Sequence, residues 1–393
     1  MSSKQILLLL GIICAIALGV LFGVAQWRKI LIRESQLISQ PTFKEFPKTL
    51  IFLEKPNKIH LIKIIDENLQ TISLGSFNLP SDIGDFRQIV ESRLYFFDKS
   101  GIIKYFDLTT KEIKELNFII KDWGHWLWGG KNFLISPDNK KLVWTVTKYK
   151  NLSEEEKQRL EKGETLWPAD IKYPERWYVE MWLADLENQN INLLFQKDLT
   201  VGEYILPLRW LSSQREIYFL ETLTGLGGYA PFRCPPGILY KVGLEKGEVS
   251  KVVGEDKEEH YIGFCNFSFD GKLIAYSFSH NLIIKNLVTK EKMVIPIDRK
   301  FAYFGNAFFS PDNKFLAYTS ALGDPDNEEY TITLVNLSTL EKKEILKGLY
   351  FSIAWLDEEN LIVQDLNGTT YLVNREDSLL KKISDFYFVG IIE

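Results

Sequence analysis

One pattern recurs from residue 47 to the end of the chain, and it limits what the chain can fold into. It is clearest in FLISPDNKKLVWTV (133–146), NFSFDGKLIAYSFS (266–279) and FFSPDNKFLAYTS (308–320). Each copy is an apolar segment, a turn with serine and aspartate that ends in Gly or Asn, and a second apolar segment. Aspartate hydrogen-bonds back to the chain, and Gly or Asn tolerates a positive φ. Each copy therefore predicts two strands joined by a tight turn.

Degenerate copies of this turn occur near residues 90, 211 and 356, and a second pattern of strand, short polar turn and strand occurs seven times. The second pattern lies at 58–74, 101–116, 180–195, 238–253, 281–296, 331–346 and 369–384. The residue just before the tight turn is large: Ile135, Trp210, Phe267, Phe309 and Trp355. These side chains are predicted to fill the space between stacked sheets. Units of about 40–50 residues with four strands are the signature of propeller blades.

The predicted fold is all-β: a seven-bladed β-propeller of four-stranded antiparallel blades over residues 47–393, preceded by one N-terminal transmembrane helix. Six units are complete. The seventh is predicted to form from both ends of the region, with 385–393 as the innermost strand paired with 48–54. Such a closure removes strand edges that would otherwise invite aggregation.

The SPDNKxLAY and SFDGKLIAY copies resemble the repeats of TolB-like propellers, a WD-like repeat family also found in the propeller part of prolyl-oligopeptidase-type peptidases. Three copies match in sequence and the others only in frame, over about residues 47–393. The resemblance implies a propeller that serves as a binding platform or a substrate filter, although a fold does not determine an activity. The chain contains no GxSxG nucleophile motif.

The N-terminus carries twenty residues without a charge, 6–25, about the length that a helix needs to cross a bilayer. We therefore expect residues 1–27 to be a membrane anchor and residues 28–46 to be a juxtamembrane stalk. The alternative is a cleaved signal peptide, whose apolar core is normally shorter. The charges that flank the span leave its orientation open. The resemblance to exported relatives favours an extracytoplasmic propeller.

The long insertions are predicted to share one face of the propeller. In a four-stranded blade, the turns between strands one and two and between strands three and four lie on one face, here called the turn face. The insertions 148–176, 222–237 and 321–329 fall on the opposite face, here called the loop face, where functional loops usually gather. The first insertion contains LSEEEKQRLEKG, a predicted short helix with Ser153 and Glu156 as a capping box.

The segment DWGHWLWGG (122–130) leads into the innermost strand of the third blade and so belongs to the loop face. With two of the insertions it forms an aromatic set suited to stacking on sugars or gripping a peptide. The candidate ligand-binding residues are Trp123, His125, Trp126, Trp128, Trp167, Tyr173, Trp177, Tyr229, Phe232 and Arg233. The competing interpretation is a second small core beneath the insertions, because tryptophan is usually well buried.

No cofactor, metal or catalytic residue is predicted. His60, His125, His260 and His280 lack metal-ligand spacing, and the carboxylates of Asp324, Asp326 and Glu328 fit a solvated turn better than a calcium loop.

Cys234 and Cys265 could form one disulfide in an exported domain. The favoured interpretation makes Cys265 a small buried apolar residue instead.

The charge balance of 47 basic against 52 acidic residues, net −5, argues against a nucleic-acid partner. The favoured function is a membrane-anchored, extracytoplasmic propeller that binds a protein, peptide or glycan with its membrane-distal face and is not an enzyme. One alternative is a lyase or hydrolase with its site in the central funnel, for example at Asp122 and His125. Another is a structural scaffold of an envelope complex. The identity of the ligand and the oligomeric state stay open.

Overall fold

The computed structural model describes residues 48–55, 57–65, 69–79, 83–98, 101–120, 132–162, 177–199, 203–210, 215–223, 234–253, 262–301, 303–323 and 329–392. The predicted anchor, 1–27, and the predicted stalk, 28–46, lie outside these ranges. Within the ranges, no helix is both long and apolar enough to cross a membrane.

Strands dominate the described residues, and one helix, α1 (Glu154–Glu161), accompanies them. In chain order the strands are β1 (Lys48–Glu54), β2 (Lys58–Ile64), β3 (Thr71–Asn78), β4 (Ile83–Val90), β5 (Arg93–Asp98), β6 (Ile103–Asp107), β7 (Glu112–Glu115), β8 (Asn132–Ile135), β9 (Lys141–Tyr149), β10 (Trp177–Asp185), β11 (Ile191–Leu199), β12 (Glu203–Trp210), β13 (Glu216–Leu223), β14 (Pro236–Gly243), β15 (Val249–Lys251), β16 (Ile262–Phe267), β17 (Leu273–Phe278), β18 (Asn281–Asn286), β19 (Lys292–Pro296), β20 (Tyr303–Phe309), β21 (Phe315–Ala321), β22 (Tyr330–Asn336), β23 (Lys342–Gly348), β24 (Tyr350–Trp355), β25 (Asn360–Asp365), β26 (Thr370–Asn374), β27 (Leu380–Ser384) and β28 (Tyr387–Ile392). The prediction of an all-β chain is confirmed.

The strands form antiparallel sets of four, here called units. Unit 1 is β28-β1-β2-β3, unit 2 is β4 to β7, unit 3 is β8 to β11, unit 4 is β12 to β15, unit 5 is β16 to β19, unit 6 is β20 to β23 and unit 7 is β24 to β27. In unit 1 the last strand of the chain pairs with the first, so that Leu50 lies opposite Ile391. Four-stranded antiparallel sheets were predicted, and they are confirmed.

The tight turn between the first and second strands is held by a repeated set of hydrogen bonds. In unit 6, the Ser310 hydroxyl donates to Oδ1 of Asp312 over 2.6 Å and accepts the backbone N–H of Phe315 over 2.9 Å. The same bonds recur around Ser136 in unit 3 and Ser268 in unit 5. Serine and aspartate therefore recur in the sequence because their side chains satisfy backbone groups that the turn leaves unpaired.

The turn between the third and fourth strands is built on a repeated Asp or Asn. In unit 6, Oδ1 of Asn336 accepts the backbone N–H groups of Ser338 and Thr339, over 2.9 and 3.3 Å. The N–H of Leu337 then donates to the carbonyl of Lys314 in the first turn over 2.8 Å, and the same link occurs in units 2, 3, 4, 5 and 7. Both turns therefore lie on one side of each of these units, which confirms the predicted turn face.

The hydrophobic core lies between neighbouring units. Each cluster of buried side chains among the described residues joins two or three units that follow one another in the chain, and one cluster joins units 6 and 7 to unit 1. The core positions predicted before the tight turns are all buried, at 5% exposure or less: Ile135, Trp210, Phe267, Phe309 and Trp355. Full burial of a large apolar side chain contributes about 1.5–3 kcal/mol, so these positions hold neighbouring sheets together.

Units 4 and 5 share a further contact that the other units lack within the described residues. Pro236 of β14 pairs with Gly263 of β16, and Gly237 pairs with Ile262. The two units consequently form one continuous sheet of eight strands. We call this junction the seam.

The seam carries a disulfide bond between Cys234 and Cys265, whose Cα atoms are 4.8 Å apart. The favoured interpretation of Cys265 as a small apolar residue without a partner is therefore wrong, although its burial is correct. The seam brings the residues just before β14 against β16. The sequence separation of 31 residues between the two cysteines does not by itself predict this backbone pairing.

Candidate functional site

The long insertions connect second strands to third strands, as the predicted loop face requires. They run from β9 to β10, from β13 to β14 and from β21 to β22. The first insertion contains α1, and its predicted capping box is confirmed. The N–H of Glu156 donates to the Ser153 hydroxyl over 3.2 Å, and the N–H of Ser153 donates to Oε2 of Glu156 over 2.7 Å.

The predicted aromatic site falls largely outside the described residues. The candidates that lie outside are Trp123, His125, Trp126, Trp128, Trp167, Tyr173, Tyr229, Phe232 and Arg233. The acidic residues Asp324, Asp326 and Glu328 also lie outside. In the part of the chain that the structure describes, no three His, Cys, Asp or Glu side chains are grouped to hold a metal ion.

Trp177 is the one predicted candidate that the structure describes. It is the first residue of β10, and its side chain is 5% exposed. Its ring centroid lies 4.3 Å from that of Tyr149, within the core between units 3 and 4. Trp177 thus has the position of a packing side chain at the base of the first insertion.

A cavity of about 370 Å³ opens where units 4, 5 and 6 meet. It is lined by Cys234, Pro236, Ile262, Gly263, Ser277, Phe278, Ser279, His280, Tyr303 and Phe304. These residues come from the start of β14, β16 and β20 and from the hairpin between β17 and β18. All four places are the ends of strands opposite the turn face, so the cavity lies on the loop face.

Aromatic rings form one wall of the cavity. Phe278, Tyr303 and Phe304 are each half-buried, so each ring keeps a surface that a ligand can contact. The His280 ring meets the Phe304 ring edge-on, with centroids 5.6 Å apart and planes at 82°. This wall combines apolar ring faces with a phenol and an imidazole that can hydrogen-bond.

The backbone at His280 has an unfavourable conformation. Phe278 pairs with Asn281, which leaves Ser279 and His280 as a two-residue hairpin turn with φ values of 46° and 63°. Such a turn strongly prefers Asn-Gly, because side chains with a Cβ are disfavoured at positive φ. Strained residues of this kind cluster at functional sites.

The floor of the cavity is closely packed backbone. A Cβ atom added to Gly263 would lie 2.2 Å from Oγ of Ser277 and 3.3 Å from Cβ of Cys234. The Ser277 hydroxyl donates to the carbonyl of Gly263 over 3.4 Å. Glycine at this position therefore allows the seam to close, and the disulfide fixes Cys234 beside it.

The part of the cavity lining that the structure describes contains no Asp, Glu, Lys or Arg. At the rim, the carbonyl oxygen of Asp298 lies 3.3 Å from Nε2 of His280. The N–H of Lys300 donates to the Asp298 carboxylate and holds its pKa below the usual value, so this exposed rim group is ionised at neutral pH. Among the described residues, this carboxylate lies at the rim and the lining itself has no acidic or basic side chain other than His280.

Sequence reasoning did not select Phe278, His280, Tyr303 or Phe304 as site residues. His280 was considered only as a metal ligand. One signal was available in the sequence. The short turn between two strands is Ser279-His280 and contains neither Gly nor Asn, which indicates a strained hairpin. Tyr303 and Phe304, at the start of β20, could not be selected as site residues, because the sequence does not place β20 beside the seam.

Comparison with known proteins gives a likeness of fold alone. No protein-family model matches the chain, and no curated protein sequence matches it. A solved oligogalacturonate lyase in complex with manganese is 15% identical, covers 88% of this chain and 86% of its own, and has a TM-score of 0.50. An oligogalacturonate lyase from Vibrio parahaemolyticus is 12% identical, with coverage of 85% and 91% and a TM-score of 0.51.

A protein assigned to TolB from Agrobacterium tumefaciens also resembles the chain, at 10% identity over 77% of this chain and 90% of its own, with a TM-score of 0.38. The oligogalacturonate lyase has the β-propeller fold. Together with the antiparallel sets of four strands and the cores between them, the likeness to the two oligogalacturonate lyases defines the class of protein: the fold is of the β-propeller type.

Proposed function

We propose that the chain is a membrane-anchored, extracytoplasmic β-propeller that acts as a binding platform for a protein, peptide or glycan through its loop face. The observation that carries this proposal is the cavity where units 4, 5 and 6 meet. It is concave, partly aromatic and built on rigid strands, which are the usual properties of a ligand site. Its lining includes Cys234 and Pro236, which end the connection from β13 to β14.

We further propose that the propeller has seven blades. The support is the arrangement of the described strands in sets of four and the closed cycle of cores that runs from unit 1 to unit 7 and back. Pairing of β28 with β1 joins the two ends of the chain region in one sheet.

The proposed location outside the cytoplasm is supported by the disulfide between Cys234 and Cys265 together with the apolar segment 6–25. Disulfides persist in oxidising compartments and are rare in the cytosol. Alkylation of cells after acid quenching tests this location. We expect neither Cys234 nor Cys265 to be alkylated, because the disulfide blocks both thiols. Alkylation at both positions would contradict a location outside the cytoplasm.

Affinity capture with matched variants tests the binding function. The full chain in detergent serves as bait in the wild-type form, as the loop-face variant Tyr303→Ala/Phe304→Ala, and as the turn-face control Lys140→Ala/Lys314→Ala. We expect the same protein, peptide or glycan to be retained by the wild type and the control and lost by the loop-face variant. Equal retention by all three would overturn the assignment to this cavity.

A second candidate is an enzyme whose site is this cavity. It is favoured by one observation, the strained backbone at His280, whose imidazole lines the same cavity as the side chains of Ser277 and Ser279. The oligogalacturonate lyases of similar fold add a reason to screen oligosaccharide cleavage. Turnover that disappears in His280→Ala and persists in Tyr350→Ala would favour the enzyme over the binding platform.

A further inference from the structure

We propose that the cavity at the junction of units 4, 5 and 6 binds a neutral saccharide. This proposal rests on the proposed binding function and names the chemical class of the ligand. Its first support is the uncharged character of the lining that the structure describes. None of the ten described lining residues is Asp, Glu, Lys or Arg, so none of them offers an ionic ligand a charge that would compensate for lost hydration.

The second support is the aromatic wall. Phe278, Tyr303 and Phe304 line the cavity and are each half-buried. An aromatic face stacks well on a ring that is apolar on its faces and polar at its edge. A pyranose ring has this distribution, with C–H groups on its faces and hydroxyls around its rim.

The third support is the type of polar group available. The side chains of Ser277, Ser279, Tyr303 and His280 each offer atoms that can donate or accept hydrogen bonds. Sugar hydroxyls likewise donate and accept, so they can pair with all four side chains without leaving a buried group unsatisfied.

The seam makes an extended peptide a poorer fit. Peptides that bind by strand addition need a free strand edge. At the cavity floor, the edges of β14 and β16 are paired with each other at Pro236 and Gly263 and at Gly237 and Ile262. The N–H of Phe264 is also satisfied, by the carbonyl of Pro235 over 2.9 Å.

The walls are fixed before any ligand arrives. The disulfide holds Cys234, the seam holds Gly263, and the two-residue turn holds His280. A preformed site loses little conformational freedom on binding, which suits a small ligand with few contacts. The volume of about 370 Å³ falls at the lower end of the range for small-molecule sites.

The test is calorimetric titration of the full chain in detergent with maltose, cellobiose and N,N′-diacetylchitobiose, and with digalacturonate as a charged comparison. We expect one of the neutral disaccharides to bind and digalacturonate to bind more weakly. Tyr303→Ala removes a stacking ring and should weaken the binding about tenfold. Tyr303→Phe keeps the ring and should retain most of the affinity.

Tyr350→Ala is the matched control, because Tyr350 is also the first residue of a first strand and half-buried but packs edge-on against Tyr371, outside the cavity. It should bind as the wild type does. Preferred binding of digalacturonate, or equal loss in both alanine variants, would overturn the saccharide proposal.

Failure of every sugar to bind would also overturn it. If affinity capture then still yields a ligand that depends on the loop face, the proposed binding function stands and the ligand belongs to another class. Displacement of that captured ligand by a proline-rich or aromatic peptide would then identify the class.

Discussion

Removal of the disulfide between Cys234 and Cys265 should destabilise the propeller measurably. The bond closes a loop with a sequence separation of 31 residues. In the chain-entropy description, a loop of this length corresponds to about 3.7 kcal/mol of stabilisation at 25 °C. With an unfolding entropy of about 2.1 cal/mol/K per residue over roughly 350 residues, the loss is a fall in Tm of about 5 °C.

The assay is thermal unfolding of the full chain followed by near-ultraviolet circular dichroism, with Cys234→Ser/Cys265→Ser against the wild type. A reductant should bring the wild type to the Tm of the double variant and leave the variant unchanged. Cys14→Ser is the matched control, since the third cysteine is not part of the bond. An unchanged Tm in the double variant would refute the reasoning, because the seam would then hold without its cross-link.

Three further substitutions should change stability in defined directions, each read as Tm or as the midpoint of urea unfolding. Ser279→Gly should stabilise by about 0.5–1 kcal/mol, because glycine adopts the positive φ of 46° without a Cβ penalty; a lower Tm would contradict a strained turn. Gly237→Ala should destabilise by about 1–3 kcal/mol, since its Cβ would lie 2.3 Å from the carbonyl oxygen of Glu221, and a neutral effect would mean that β14 can move away from β13. Burial alone raises the pKa of Asp312, but hydrogen bonds from Ser310 and the Lys314 amide outweigh it and leave the pKa below its usual value. The ionised Asp312 carboxylate therefore stabilises the fold above its unfolded-state pKa, and this stabilisation is lost as the pH falls through the lower folded-state pKa. Asp312→Asn should consequently flatten the acid side of the pH–stability curve. An unchanged curve would contradict the role of this turn.

The strand sets were predictable because their signals are local. The bonds of Ser310 to Asp312 and to Phe315 span at most five residues, so their chemistry is visible in the repeat itself. The repeated Asp or Asn of the second turn is equally local, as at Asn336, and was visible in the sequence as a recurring polar turn. The burial of the residue just before each tight turn could be predicted because that side chain is large.

The cavity was not predictable because its residues come together only through contacts between units. Cys234, Gly263 and Tyr303 belong to three different units and are separated by 29 to 69 positions in the sequence. The seam that unites the first two depends on the backbone pairing of β14 with β16. Aromatic clusters such as the one at 122–130 drew attention because they are dense in the sequence, whereas the rings of this cavity are dispersed along it.

The central claim is that a ligand binds the loop face at the cavity between units 4, 5 and 6. Hydrogen–deuterium exchange of the full chain tests it most directly, by comparing the complex isolated by affinity capture with the free protein. The account predicts slower exchange at 262–263, 277–280 and 303–304, with no change in the turns at 136–140 and 310–314. Protection confined to those turns, with unchanged exchange around the cavity, would contradict it.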